Sequence, residues 1–178
     1  IGDGDMGISM SRGFRSVREG LKDPPQDIRQ LLMKVGLILS NSAASTAGAL
    51  LSTAFVRAAR EVQNPAEVTL QDIARMVKSA EIGIQERGKA QLGDKTMLDA
   101  IVPARLALEK AVDEGASLLG ALEQAAAAAE KSADRRREAE KASKETCASA
   151  GRLRPTCIRT KCCSPSRRRS SPRTPARR

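Results

Sequence analysis

Thr69-Leu70-Gln71-Asp72-Ile73-Ala74-Arg75-Met76-Val77-Lys78-Ser79-Ala80-Glu81-Ile82-Gly83-Ile84-Gln85-Glu86-Arg87-Gly88 (residues 69–88) is the stretch whose reading decides the fold. Thr69 followed three positions later by Asp72 has the spacing of a capping box, in which two side chains take up amides that a first helical turn leaves without acceptors. Ile73, Val77, Ala80 and Ile84 then recur at the spacing of one helix face, and Gly88 marks the end. The same period appears on both sides. Upstream, residues 1–7 read as a glycine and aspartate loop, and Met10, Phe14, Val17 and Leu21 predict an amphipathic helix stopped at Asp23-Pro24-Pro25. Ile28, Leu31, Leu32, Val35 and Ile38 predict a second helix from about Asp27 to Leu39. A polar turn, Ser40-Asn41-Ser42, precedes an apolar small-residue stretch to about Val62, and Asn64-Pro65 breaks the chain. Downstream, Met97, Ile101, Ala104, Leu108 and Val112 predict a helix in which Pro103 implies a kink or a late start. After Glu114-Gly115, Leu118, Leu119, Leu122, Ala125, Ala126 and Ala129 open a last helix that becomes highly charged from Glu130. No strand-period segment of useful length interrupts this series, so the fold class is all-α, an antiparallel helical bundle.

Composition agrees with that choice. The 178 residues suit one ordinary domain, and the 40% hydrophobic content includes two Phe and no Trp or Tyr, so Leu, Ile, Val, Met and Ala must fill the core. The formal charge of +10 is local: residues 151–178 hold ten of the 31 basic residues and no acid, leaving 21 against 21 in the rest. Cys147, Cys157, Cys162 and Cys163 all fall in the last 32 residues, so no disulfide framework holds the helices, and with no His their spacing does not make a two-pair zinc site. The expected organisation is a helical body over residues 1–133, a charged helix extension over 134–147 and a disordered Arg/Ser/Pro/Cys-rich tail over 148–178. No apolar run approaches the roughly 18 to 20 residues of a membrane span, and no signal peptide is visible, which makes a soluble cytoplasmic protein the expectation. The start at Ile1 implies a missing or processed N-terminus.

Three stretches could carry chemistry. Gly2-Asp3-Gly4-Asp5-Met6-Gly7 places two carboxylates one glycine apart before a helix. Such carboxylates can converge on a hard cation while the helix amides favour phosphate, or one of them can simply cap the helix. Ser45-Thr46-Ala47-Gly48 offers hydroxyls and amides to a phosphate or ribose, or small residues for close helix packing. Gly93-Asp94-Lys95-Thr96-Met97-Leu98-Asp99 is another polar, glycine-led approach to a helix, with a plain loop and N-cap as the alternative. Walker A, zinc, nucleophile-elbow and dinucleotide patterns are absent, and a chain without His has no His-based acid–base chemistry.

Taken in order, these stretches with Met10, Arg12-Gly13-Phe14, Phe55-Val56-Arg57-Ala58-Ala59 and Arg87-Gly88-Lys89-Ala90 resemble the L subunit or domain of dihydroxyacetone kinases, over roughly residues 1–133. The resemblance implies a barrel of antiparallel helices with the nucleotide at one end, held through two magnesium ions by three aspartates. Asp3 and Asp5 would be the second and third metal ligands, with the first before Ile1. Met6, Gly7, Ile8 and Ser9 would meet the phosphates. Thr46, Ala47 and Gly48 would form the phosphate or ribose loop, with Ser45 supplying a neighbouring hydroxyl, and Gly88 and Met97 would line the adenine pocket with Thr96 nearby. Three departures stand out. Met6 replaces a His common in the family, Ala43, Ala44 and Ala47 replace glycines, and the family's later Gly-Arg-Ala-Ser-Tyr-Leu-Gly-Glu-Arg run is missing where the basic tail stands.

The function implied is phosphotransfer to dihydroxyacetone or a related short ketose. This chain would supply ADP or ATP and Mg2+, and a K subunit or domain would carry the ketose on its own His. A phosphotransferase-system subunit is a further possible partner, as phosphate source. The alternative from another class is non-specific binding of nucleic acid or another anionic partner through the tail, which lacks stacking aromatics and recognition motifs. The abrupt change of composition between Asp134 and Cys147 matches a shift of reading frame in a GC-rich gene. The coding DNA should then encode the missing run in another frame after that region, and its absence from every frame would leave a genuine basic tail.

Overall fold

The structure is a computed structural model and describes residues 5–94 and 96–149. These form six α-helices: α1 (Asp5–Gly20), α2 (Ile28–Ser42), α3 (Thr46–Glu61), α4 (Leu70–Gly88), α5 (Leu98–Asp113) and α6 (Leu118–Ser149), with no strand among the described residues. Residues 1–136 make one compact unit and 137–178 another. The packing described below is that of the first unit. In the second, the described residues, 137–149, are helical.

The capping box expected at Thr69 is present. The Thr69 hydroxyl accepts the Asp72 amide at 3.2 Å, and the Asp72 carboxylate accepts the Thr69 amide at 2.9 Å and its hydroxyl at 2.6 Å. Other boundaries move for local reasons. Helix α1 starts at Asp5, so residues 5–7 are helical and not loop, as suits an aspartate in a first turn. Helix α2 starts after Asp27, which caps it by accepting the Arg29 and Gln30 amides, and runs on through Ser40-Asn41-Ser42. The Ser42 hydroxyl donates back to the Ile38 carbonyl at 2.6 Å, a bond that lets a polar residue stay helical. The real break is Ala43 to Ser45. Pro103 lies well inside α5, which has no late start at the proline.

Consecutive helices pack antiparallel around two clusters. Val17, Val35, Leu39 and Ala43 join α1 to α2, with Leu51 and Phe55 of α3 against them. Ala74, Leu108, Ala111, Ala121 and Ala125 join α4, α5 and α6. Complete burial of Leu39, which has no exposed surface, contributes about 1.5–3 kcal/mol. Phe14 departs from the expected stripe: it is 46% exposed, while Val17 on the same helix is buried.

Glycines set how closely the helices approach. A Cβ on Gly13 would stand 2.8 Å from the Ala43 Cβ, one on Gly36 would stand 2.9 Å from Val56, and one on Gly83 would stand 2.7 Å from the Arg57 side chain. Gly48 is the tightest, since a Cβ there would collide with the Ala43 carbonyl oxygen and stand 2.7 Å from the Ala43 Cβ. Between α4 and α5, Arg105 donates to Glu81 and to Glu109 at 2.6 Å each.

Two outcomes follow from these contacts. Gly48→Ala should lower stability by about 1–3 kcal/mol, the usual range for overpacking, as read by urea denaturation. Hydrogen bonds from Thr69 and the neighbouring Arg75 hold the Asp72 carboxyl below its ordinary range, against the opposing effect of burial. Its contribution should therefore be present above about pH 4 and be lost as the pH falls through the depressed native value. Asp72→Asn should melt below the wild-type chain at pH 7, with the gap closing toward pH 2, and a gap independent of pH would contradict this assignment.

Candidate functional site

The first motif stretch opens α1. Met6 and Ile8 are 65% and 61% exposed, Gly7 is exposed and Ser9 half-buried, so the helix start is open to solvent. Asp3 lies outside the described residues, and Asp5 is the first residue of the helix. One turn further, Gly7, Ile8, Ser11, Arg12 and Arg15 line an open groove of ≈ 470 Å³. Neither arginine makes an ion pair among the described residues.

The second stretch is the sharp turn into α3. Ser45 caps the helix, its hydroxyl accepting the Gly48 amide at 3.1 Å and its carbonyl the Ala49 amide at 3.0 Å. That leaves the Thr46 and Ala47 amides as first-turn donors without an intrahelical acceptor. Thr46 is exposed, Ala47 half-buried and Gly48 buried against Ala43. The small residue at 48 is thus explained by packing, while the donors at 46 and 47 remain available. No acidic residue occupies the first turn of α3.

The third stretch follows α4, whose end is capped by Lys89 in a left-handed conformation at φ +50°. Gly93 adopts φ +108°, where a side chain would be strained. Its amide donates to Asp99 Oδ1 at 2.8 Å, and the Thr96 amide donates to Asp99 Oδ2 at 3.1 Å. Arg136 of α6 closes the set, donating to Asp99 Oδ1 at 2.9 Å and to the Gly93 carbonyl at 3.2 Å. The Asp99 side chain is only 5% exposed. Thr96 itself is exposed with its hydroxyl accepting the Leu98 amide at 3.3 Å, Met97 is half-buried, and Gly88 is exposed.

These stretches share one end of the bundle. Gly20 meets Ile38 and Gly13 meets Ala43, so the start of α1 points toward the place where α2 finishes and α3 begins. Gly48 meets the same Ala43. Gly88 faces Leu50 in the first turns of α3, and Arg87 donates to the Thr53 hydroxyl at 2.7 Å, which brings the end of α4 and the loop after it to that end as well.

Sequence reasoning assigned no role to Arg136, which it left beyond the helical body, and none to the Asp99 carboxylate. A signal for Arg136 exists. Among the described positions of α6, residues 120, 121, 125, 128, 129, 132, 133 and 136 are sheltered, so Arg136 continues the spacing of the alanine stripe while Arg135 and Arg137 are exposed. No group of three or more His, Cys, Asp or Glu among the described residues could hold a metal ion.

Comparison with known proteins bears on the whole body. The DAK2 domain family matches residues 1–152. The ADP-binding subunit DhaL of the PEP-dependent dihydroxyacetone kinase of Escherichia coli is 38% identical over 134 residues, covering 75% of this chain and 64% of that protein. The ADP-binding subunit DhaL of PEP-dependent dihydroxyacetone kinase 2 of Listeria innocua is 40% identical over 106 residues, covering 58% of this chain and 49% of that protein. Human triokinase/FMN cyclase is 34% identical over 135 residues, 75% of this chain and 23% of that protein. The chain thus spans less than two thirds of each of these relatives, and the match over residues 1–152 makes it a member of the DAK2 domain family.

Proposed function

We propose that this chain is the nucleotide-binding L component of a dihydroxyacetone or related short-ketose kinase, taking ADP or ATP with Mg2+. The observation that carries the reading is the gathering of three separated stretches, at the starts of α1, α3 and α5, at one end of the helical bundle. It is supported by the relatives named as ADP-binding subunits and by the chemistry available at that end.

In this reading Asp3 and Asp5 supply carboxylate oxygens to magnesium, which when bound neutralises charge on the phosphates and on the phosphoryl group in transit. The amides of residues 6–9 at the start of α1 face the phosphates, a position where helix geometry presents unpaired donors and a partial positive charge. The Thr46 and Ala47 amides and the Thr46 hydroxyl meet phosphate or ribose, with Gly48 permitting the tight turn beneath them. Ser45 shapes that turn from below. Gly88, Thr96 and Met97 flank the adenine. The chain has no His, so the ketose carrier is a separate K subunit or domain, and a phosphotransferase-system subunit is a fitting phosphate source. No helix among the described residues is long and apolar enough to cross a membrane, and the proposed location is the cytoplasm.

Fluorescent ADP titrated into the full chain with Mg2+ tests the reading. Saturable binding should be abolished by excess chelator, and the double change Asp3→Asn/Asp5→Asn should weaken it at least about tenfold, or about 1.4 kcal/mol. Binding that is indifferent to both changes but collapses with added salt would instead report the basic tail acting as a polycation. No binding with Mg2+ present would sink the reading outright.

A further inference from the structure

We propose that Arg136 and Asp99 form a positioning clamp that presets Gly93, Thr96 and Met97, in the loop between α4 and α5, for the purine side of the nucleotide. The inference rests on the nucleotide-binding reading above and adds to it a positioning pair that acts through the loop.

The loop between α4 and α5 closes one turn by itself, the Asp94 carboxylate accepting the Gln91 amide at 2.8 Å and the Gln91 carbonyl accepting the Asp94 amide at 3.1 Å. Its left-handed Gly93 and its polar run leave backbone donors that must find acceptors if the loop is to keep one shape. Asp99 provides them, taking the Gly93 amide on one oxygen and the Thr96 amide on the other, at 2.8 and 3.1 Å. A carboxylate that is 5% exposed and receives two neutral amides still carries its full charge, and Arg136 supplies the balancing cation. The guanidinium does so with a second bond to the Gly93 carbonyl, so one planar group fixes both the carboxylate and the loop backbone. The clamp ties α6 to the start of α5 across the residues that the nucleotide reading places beside the base. It takes up the Gly93 and Thr96 amides and leaves the Thr96 side chain exposed and Met97 half-buried. A loop held in its bound shape before the ligand arrives does not have to be ordered on binding.

The clamp predicts an effect confined to ligands that carry a base. With the full chain and Mg2+, Arg136→Met should weaken ADP about tenfold or more while leaving pyrophosphate, which does not reach the loop, within about twofold. Arg136→Lys, which keeps the charge and loses the fork, should recover part of the ADP affinity. The Gly93 and Thr96 amides of the Arg136→Met chain should exchange with deuterium about tenfold faster, while amides of α2 and α3 keep their wild-type rates. Equal weakening of ADP and pyrophosphate would mean general damage and would overturn the clamp. Unchanged ADP affinity would overturn it as well, whatever the exchange rates. A wild-type chain that binds neither ligand would refute the nucleotide reading itself and the clamp with it. A wild-type chain that binds both, with no difference made by Arg136→Met, would refute the clamp alone.

Discussion

A core built without large side chains can be filled only by bringing helix backbones close together, and much of this structure depends on that constraint. The largest fully buried side chains are Leu39, Ile84, Leu98 and Val62, and much of the remaining core is alanine: Ala43, Ala58, Ala59, Ala74, Ala111, Ala121 and Ala125. Small residues on facing helices shorten the distance between axes toward the lower end of the usual 8–10 Å or so. The glycines fall where that approach is tightest, and one of them shapes the candidate site. Ala43 is touched from one side by Gly13 of α1 and from the other by Gly48 of α3, so packing that satisfies the core also pins the start of α3 beside the first helix. The site is in this sense a by-product of how an alanine-rich bundle closes.

Electrostatics then separates the starts of α4 and α5 from that of α3. Helices α4 and α5 each carry a buried aspartate in the first turn, Asp72 and Asp99, where a negative charge complements the helix dipole. Both belong to a Thr-x-x-Asp spacing, Thr69 with Asp72 and Thr96 with Asp99. In each, the aspartate accepts the threonine amide, at 2.9 and 3.1 Å. At the first, the threonine hydroxyl returns the favour to the Asp72 amide. At the second, it takes the Leu98 amide instead, and the aspartate spends its other oxygen on Gly93 and Arg136. Helix α3 has neither device: its cap is the neutral Ser45, and its first turn holds no acid. Its partial positive charge meets no carboxylate from its own first turn.

The fold was legible because helical period is written in single residues: Ile73 and Ile84, Val35 and Ile38, Leu108 and Val112 each mark a face without reference to the rest of the chain. The capping box at Thr69 was legible for the same reason, being local within four residues. What could not be read depends on distance along the chain. The Ser40-Asn41-Ser42 run looks like a turn until the Ser42 hydroxyl is seen to bond inside its own helix. Phe14 has the right period to be buried and is not, because the closest approach of α1 to α2 runs through Gly13, Val17 and Gly20. Order and spacing of the three motif stretches pointed to a nucleotide site, but nothing in them reveals that a residue 37 positions beyond Asp99 braces the third. The alanine stripe of α6 held that information only for a reader who carried its period past the point where the apolar residues stop.

The distribution of charge decides how such a site can attract an anion. Residues 1–150 hold 21 basic and 21 acidic side chains, so that part of the chain carries no net charge, and at physiological salt the field of an exposed charge fades within about 8 Å. Attraction must come from groups within reach of the ligand. The arrangement at that end of the bundle meets the requirement without global charge: first-turn amides at α1 and α3, no carboxylate in the first turn of α3, and Arg12 and Arg15 in the adjoining groove. The buried carboxylate at the third stretch would, if unpaired, leave a bare negative charge beneath that loop. Arg136 removes that objection, since it sets a guanidinium against Asp99 at 2.9 Å. The pair therefore has an electrostatic consequence as well as a mechanical one. It lets an aspartate organise the loop from inside the fold with a guanidinium set against its charge.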